Sequence, residues 1–226
     1  MRAVAFLAAV LIGAVAISEF ASTREYHPYL TLNSMFRRQE IVSDRGVAHY
    51  AKALGSPLDT CRTDILNAVV AVAKREADLQ FVANRDGWPE ALARMERVLR
   101  NALACNPTNG DLWVQLAQTR WFAGGSADEQ INLMTLSQAY SPTNLDTVRK
   151  RLRHWGEVTR PMAALGEELI RRDLRTMLLY APVTDAVTAL SNLPAQLHPF
   201  VRSEAKIVPN ARLHSLNLPG LMTEGL

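Results

Sequence analysis

Four prolines punctuate this chain at the same kind of place. Ser56-Pro57-Leu58-Asp59, Asn106-Pro107-Thr108-Asn109 and Ser141-Pro142-Thr143-Asn144 each set a capping residue before proline, and Ala181-Pro182 is a weaker fourth case. Proline lacks an N–H and has a fixed φ, so it suits the first turn of a helix and disrupts the interior. The prolines at 57, 107, 142 and 182 therefore mark helix starts, separated by 50, 35 and 40 residues. An interval in the middle thirties is the length of two helices and their turn. The predicted fold class is all-α, built from successive antiparallel helix pairs.

The residues between these marks carry the helical period. In 111–123, Trp113, Leu116, Ala117, Arg120 and Trp121 fall on one face, with the Arg120 stem lying along it. Gly124-Gly125 ends that helix and Ser126 opens the next, which runs to about Tyr140 with Ile131, Leu133, Met134 and Leu136 inward. A third pair begins at Asn144. Leu145, Val148, Leu152 and Trp155 line one side, while Arg149, Lys150, Arg151 and Arg153 fall mostly on the other. After Arg160-Pro161, an amphipathic helix runs from Met162 to about Tyr180. The first pair is predicted from about Leu58 to Phe81 or beyond and from Trp88 to Ala104, joined by the turn at 84–87.

Several of these residues resemble the tetratricopeptide repeat. Trp113 with Leu116-Ala117 matches its first helix, Trp88-Pro89-Glu90-Ala91 the entry to its second helix, and Ala102-Leu103 before Asn106-Pro107 the exit. The match is good over 86–125, looser over 126–160, and departs at Arg120 and at a residue inserted before Pro142. The resemblance implies a short α-solenoid over 56–180 that presents a groove to a protein partner.

Outside that span the expectations are simpler. Residues 22–55 are predicted as a connector, with Tyr26-His27-Pro28-Tyr29 extended, Met35 to Val42 weakly helical and a short helix from Asp44 to Gly55. Residues 181–226 carry Pro194, Pro199, Pro209 and Pro219, which rules out a long helix. A short helix near Arg202 to Val208 with an otherwise irregular tail is expected there.

The N-terminus begins Met1-Arg2 and then AVAFLAAVLIGAVAI, fifteen apolar residues. A run of this length is typical of a signal-peptide core, and Ala14-Val15-Ala16 fits a cleavage site. A tilted span of residues 3–21 is the other reading. The sequence-based expectation is a single-pass bacterial inner-membrane protein anchored through residues 1–21 with its bulk in the periplasm. Secretion to the periplasm after cleavage is the alternative. Export also bears on the two cysteines. In a hairpin bent at residue 85, Cys61 lies 24 residues before the bend and Cys105 lies 20 after it, an offset of about one turn. A Cys61–Cys105 disulfide fits that offset, and two buried free thiols are the other possibility.

No catalytic pattern is present. The sequence has no nucleotide loop, no G-x-S-x-G and no H-E-x-x-H. The five histidines do not stand at metal-ligand spacing on one helix, and His154 reads as a helix-surface residue. Glu167-Glu168 reads as solvated charge on a polar face. The net charge of +3 is too small to point to nucleic acid. The basic face of Arg149, Lys150, Arg151 and Arg153 is either a partner contact or an ordinary solvated surface. The function expected is a membrane-tethered periplasmic scaffold for protein–protein interaction in envelope or polysaccharide assembly. An accessory subunit of an inner-membrane complex is the alternative. No enzyme activity, cofactor or metal is expected.

Overall fold

The computed structural model describes residues 2–54, 58, 60–83 and 86–217, with residues 2–9, 18 and 22 described by their backbone alone. Among these residues all regular structure is helical and no strand occurs. The chain divides into two compact units that meet in sequence at Cys105 and Asn106.

The first unit holds α1 (Arg2–Arg37), α2 (Asp44–Ala53), α3 (Thr63–Val82) and α4 (Trp88–Cys105). Helix α3 is its axis, with α1, α2 and α4 all packing on it. Its apolar residues are accordingly not confined to one stripe: Ile65, Leu66, Ala68, Val69, Val70, Val72 and Ala73 are all buried. Helix α4 has a neighbour on one side and buries one face, through Ala91, Leu92, Met95, Val98, Leu99, Ala102 and Leu103. The predicted start of α3 at Leu58 moves to Thr63, and Ser56-Pro57 lies outside the described residues. Arg62 occupies the cap position, bonding Asp64 through Nε and Nη2 at 3.2 and 2.7 Å. Its Nη1 reaches Glu19 at 2.9 Å and Thr23 at 2.7 Å. The disulfide forms between Cys61 and Cys105, with Cα atoms 5.3 Å apart. It ties the lead into α3 to the last residue of α4.

Two expectations for the N-terminal third are corrected. Residues 22–37 are not extended connector, because α1 continues through Pro28 to Arg37. An interior proline costs a helix about 3 kcal/mol. Tertiary packing offsets it, since Tyr26, Tyr29 and Leu32 are all buried, and Tyr29 Oη donates to the Tyr50 carbonyl at 3.1 Å. The second correction concerns the membrane. Among the described residues no helix is long and apolar enough to cross a membrane. Fifteen residues rise about 22 Å, short of a core of about 30 Å, and the helix then carries Glu19, Arg24 and Glu25. The single-pass span over 3–21 and the inner-membrane placement built on it are overturned. Val10, Leu11, Ile12, Val15, Ile17 and Phe20 are exposed on α1.

The second unit holds α5 (Gly110–Phe122), α6 (Ala127–Tyr140), α7 (Leu145–Glu157), α8 (Arg160–Leu165) and α9 (Glu167–Tyr180). After them come α10 (Val183–Ser191), a 3-10 turn (Ala195–Leu197), α11 (His198–Ala205) and α12 (Asn210–Leu216). The caps act as their chemistry requires. Asn109 accepts from the N–H groups of Asp111 and Leu112, Ser126 from that of Glu129 and Asn144 from that of Thr147. Gly124, at φ +83°, supplies the left-handed turn after α5. Helices α5 and α6 pair closely, α7 packs on α5, and α9 packs on α7.

Three details here differ from expectation. Trp113 is a rim residue, donating from Nε1 to the Pro107 carbonyl at 2.8 Å. Leu116 and Ala117 are buried as expected, and Leu112 and Val114 are buried with them, because α5 contacts both α6 and α7 and so buries more than one side. The single helix expected from Met162 to Tyr180 is broken at Gly166, where a Cβ would meet the Trp155 ring at 2.3 Å. The tail after Ala181 is a set of short helices, with Pro182, Pro194 and Pro209 at their caps and Pro199 in the first turn of α11. These helices also satisfy carbonyl ends left open by longer ones. Gln196 Nε2 donates to the carbonyls of Trp155, Gly156 and Val158, and Arg212 donates to those of Leu178 and Ala181.

Candidate functional site

The basic run on α7 is not one surface. Arg149 pairs with Asp146 and with Asp185, and its guanidinium is held above its ordinary pKa chiefly by the Asp146 bond. Lys150 Nζ reaches Asp111 at 2.6 Å. Arg153 is exposed. Arg151 is 1% exposed and so belongs to the core, which corrects its placement on a partner-facing surface. His154 is likewise buried, not superficial, and burial pushes its pKa down to about 4. Glu167 and Glu168 are exposed and pair one turn on with Arg171 and Arg172.

Arg151 organises the polar centre of the second unit. Its Nε and Nη2 grip Asp173 at 2.8 and 2.7 Å. Its Nη1 donates to the Ser137 carbonyl, the Ser137 hydroxyl and the Ser141 carbonyl at 3.1–3.2 Å. Burial acts upward on the Asp173 carboxyl, and the Arg151 and Gln138 bonds pull against it. An ion pair this deep requires nearly every donor and acceptor to be met, and the serine and carbonyl groups at the end of α6 meet them.

Gln138 is the exception. Its Nε2 donates to Asp173 Oδ1 at 3.0 Å and to the Leu169 carbonyl at 2.9 Å. Both partners are acceptors, so the amide nitrogen must face them and the oxygen must face away. That oxygen has no partner although the residue is only 7% exposed. Gln138 is also one of the residues that line a groove of about 330 Å³ between α6 and α9. Thr135, Ala139 and Pro142 form one wall of the groove, Leu169, Arg172 and Thr176 the other, with Gln138 and Asp173 between.

Sequence reasoning marked Pro142 as a helix start and took Arg172 and Asp173 as surface charges, without bringing them together. The available signal was a broken stripe. Asp173 stands on the buried face of α9 beside Ile170, Leu174 and Met177, and Arg151 stands on the buried face of α7 beside Val148, Leu152 and Trp155. Opposite charges on two inward faces announce a buried pair.

A second set of orphaned polar atoms lies around His154. Its Nε2 is 3.0 Å from Gln130 Oε1, while His154 Nδ1, Gln130 Nε2 and Trp155 Nε1 are buried without partners. Among the described residues, other surface concavities include one in each unit. One lies along α1 and α3, lined by Asn33, Ser34, Arg37 and Asn67. The other lies between α7 and α10 beside Arg153 and Asn192. Neither has an unpartnered buried group. Among the described residues no group of His, Cys, Asp or Glu is placed to hold a metal ion. Comparison with protein-family models, with curated proteins and with solved structures returns no match.

Proposed function

We propose that this chain is a protein–protein interaction scaffold of tetratricopeptide-like helix pairs, and that the α6–α9 groove receives an extended segment of a partner protein. The membrane tether and periplasmic setting expected from sequence are no part of this reading. The observation that carries it is the α6–α9 groove itself, about 330 Å³ with polar side chains on both walls, set in a stack of paired helices. An extended peptide supplies N–H and C=O groups at regular intervals to such walls. The order of packing supports the repeat reading: α5 with α6, α7 with α9, and α7 on α5. Binding without catalysis is favoured because the buried carboxylates and Arg151 are engaged with neighbours within their own units.

The test is selection of random peptides displayed on phage against the full chain. Enriched peptides are expected to lose binding when Ala139, exposed on one wall of the groove, is replaced by Arg, a side chain large enough to fill it. Peptides that bind the Ala139→Arg chain equally well, or no enrichment at all, would overturn the site.

A further inference from the structure

The two ends of the Cys61–Cys105 bond stand in different surroundings. Cys61 is exposed, in the non-helical lead into α3. Cys105 is partly buried, the last residue of α4. An outside thiol must reach a sulfur to exchange with it, so access sets the rate together with thiol chemistry. A disulfide buried on both sides is reached only by unfolding, whereas this one offers its Cys61 side in the folded chain. Behind it, Cys105 Sγ lies 3.8 Å from the Thr60 carbonyl oxygen. A thiol is a weak donor, so a sulfur freed at Cys105 has an acceptor beside it.

The helix pair has other ties. Helix α4 buries Leu99, Ala102 and Leu103 just ahead of Cys105, and Arg94 holds Glu76 at 3.0 and 2.5 Å. The lead into α3 has fewer. Arg62, next to Cys61, reaches α1 through Glu19 at 2.9 Å and Thr23 at 2.7 Å. Arg62 and Glu19 are 29% and 57% exposed, and ion pairs this open to water hold little by themselves. The disulfide fixes the lead, and the lead fixes Arg62 over α1.

We propose that the Cys61–Cys105 bond is a reversible redox latch, opened by a small-molecule thiol that attacks the Cys61 sulfur. The thiolate bonds to Cys61 Sγ, the S–S bond breaks, and Cys105 Sγ leaves with the electron pair and takes a proton from water. A second thiolate attacks the small molecule's sulfur in that mixed disulfide and expels Cys61 as a thiolate. Two thiols are oxidised to one disulfide, and the protein's disulfide is reduced by the same two electrons. Opening loosens the lead and the Arg62 hold on α1, while α3 and α4 stay paired.

The experiment treats the folded full chain with reduced glutathione, blocks free thiols with iodoacetamide and locates both by mass spectrometry. Glutathione should sit on Cys61 and the alkyl group on Cys105, at least about tenfold over the reverse. The opening rate should lie within about tenfold of that of the same chain unfolded in urea with its disulfide intact. The reduced chain should keep its helical circular dichroism, and oxidised glutathione should restore the bond. Amides of residues 19–24 should exchange at least about tenfold faster after reduction. Among single variants, Cys105→Ser should take up glutathione from its disulfide at Cys61 at least about tenfold faster than Cys61→Ser does at Cys105. A native rate more than about tenfold below the urea rate would make the bond a purely structural one and overturn the proposal. So would an adduct shared equally between the two sulfurs, a reduced chain that unfolds, or unchanged exchange in α1.

Discussion

Each unit clips its helix pair with a bidentate guanidinium–carboxylate bond, and the two clips are built differently. In the first unit Arg94 on α4 holds Glu76 on α3, at 3.0 and 2.5 Å. In the second Arg151 on α7 holds Asp173 on α9. Glu76 is 1% exposed but Arg94 is 16% exposed, so that pair sits at the edge of its core. Arg151 and Asp173 are both 1% exposed. The edge pair is complete in itself. The central pair needs Ser137, Ser141 and Gln138 to satisfy its remaining donors and acceptors, and recruiting Gln138 leaves its amide oxygen buried without a partner. That orphaned atom is a by-product of how deeply the second ion pair is buried.

Replacing Arg151 by Met tests that difference most sharply. It leaves the Asp173 charge buried with Gln138 as its remaining side-chain partner, and should destabilise the second unit by about 3–5 kcal/mol. Arg94→Met should cost the first unit less, about 1–2 kcal/mol, because water can reach Glu76 from the side Arg94 leaves. Hydrogen exchange of α7 and α9 amides against α3 and α4 amides reads each unit within one chain. Adding Asp173→Leu to Arg151→Met should recover most of the loss, since paired removal of a buried ion pair is often close to neutral. Equal costs for Arg151→Met and Arg94→Met would end the distinction between edge and centre.

The helices of the middle of the chain were legible because their ends are marked. Ser126 and Asn144 cap where the sequence reading opens a helix, Asn109 caps two residues after Pro107 in place of Asn106 before it, and Gly124 turns where a glycine is needed. The disulfide was one of two readings that the hairpin length allowed, and it is the one that forms. What was not legible depended on neighbours. Pro28 reads as a helix breaker until Tyr26, Tyr29 and Leu32 are seen to be buried. Trp113 reads as an anchor until α5 is seen between two helices. Four prolines in the tail read as irregular chain, although a proline at a cap is as much a helix start at 209 as at 182. The groove was invisible because its walls come from α6 and α9, two helices whose pairing no local sequence pattern states.

The first unit depends on a covalent clip that the second lacks. The Cys61–Cys105 bond spans 44 residues, which the chain-entropy model values at about 3–4 kcal/mol. The double variant Cys61→Ser with Cys105→Ser should therefore lower exchange protection across α3 and α4 by about that amount. Protection in α5 to α9 should stay unchanged. A loss shared by both units would mean that they do not unfold independently, and every unit-specific comparison above would need the whole chain as its reference.

Acid should separate the units by a smaller margin, through His154. In the folded second unit the ring is buried, is aligned with Gln130 Oε1 at 3.0 Å, and has its pKa pushed down to about 4. Gln130 Oε1 accepts, so Nε2 carries the proton and Nδ1 is bare. In the unfolded chain the ring returns to about 6.5. The folded state thus resists a proton that the unfolded state takes up. The stability involved is fully present above pH 6.5, falls as pH drops toward 4, and levels below it, for a total of about 3 kcal/mol. Trp88 is the tryptophan of the first unit, and the other three lie in the second. Urea unfolding of a Trp88→Phe chain, followed by fluorescence, therefore reports the second unit. Its midpoint should fall between pH 6.5 and 4. Carboxylates titrate in the lower part of that window too, so the His154→Leu difference isolates the imidazole. That variant should lose the share of the slope that sets in already above pH 5. In the first unit His49 is exposed and no buried imidazole is described, so Trp88 fluorescence should show no matching loss over the same window. A parallel loss in both units would remove His154 as the source.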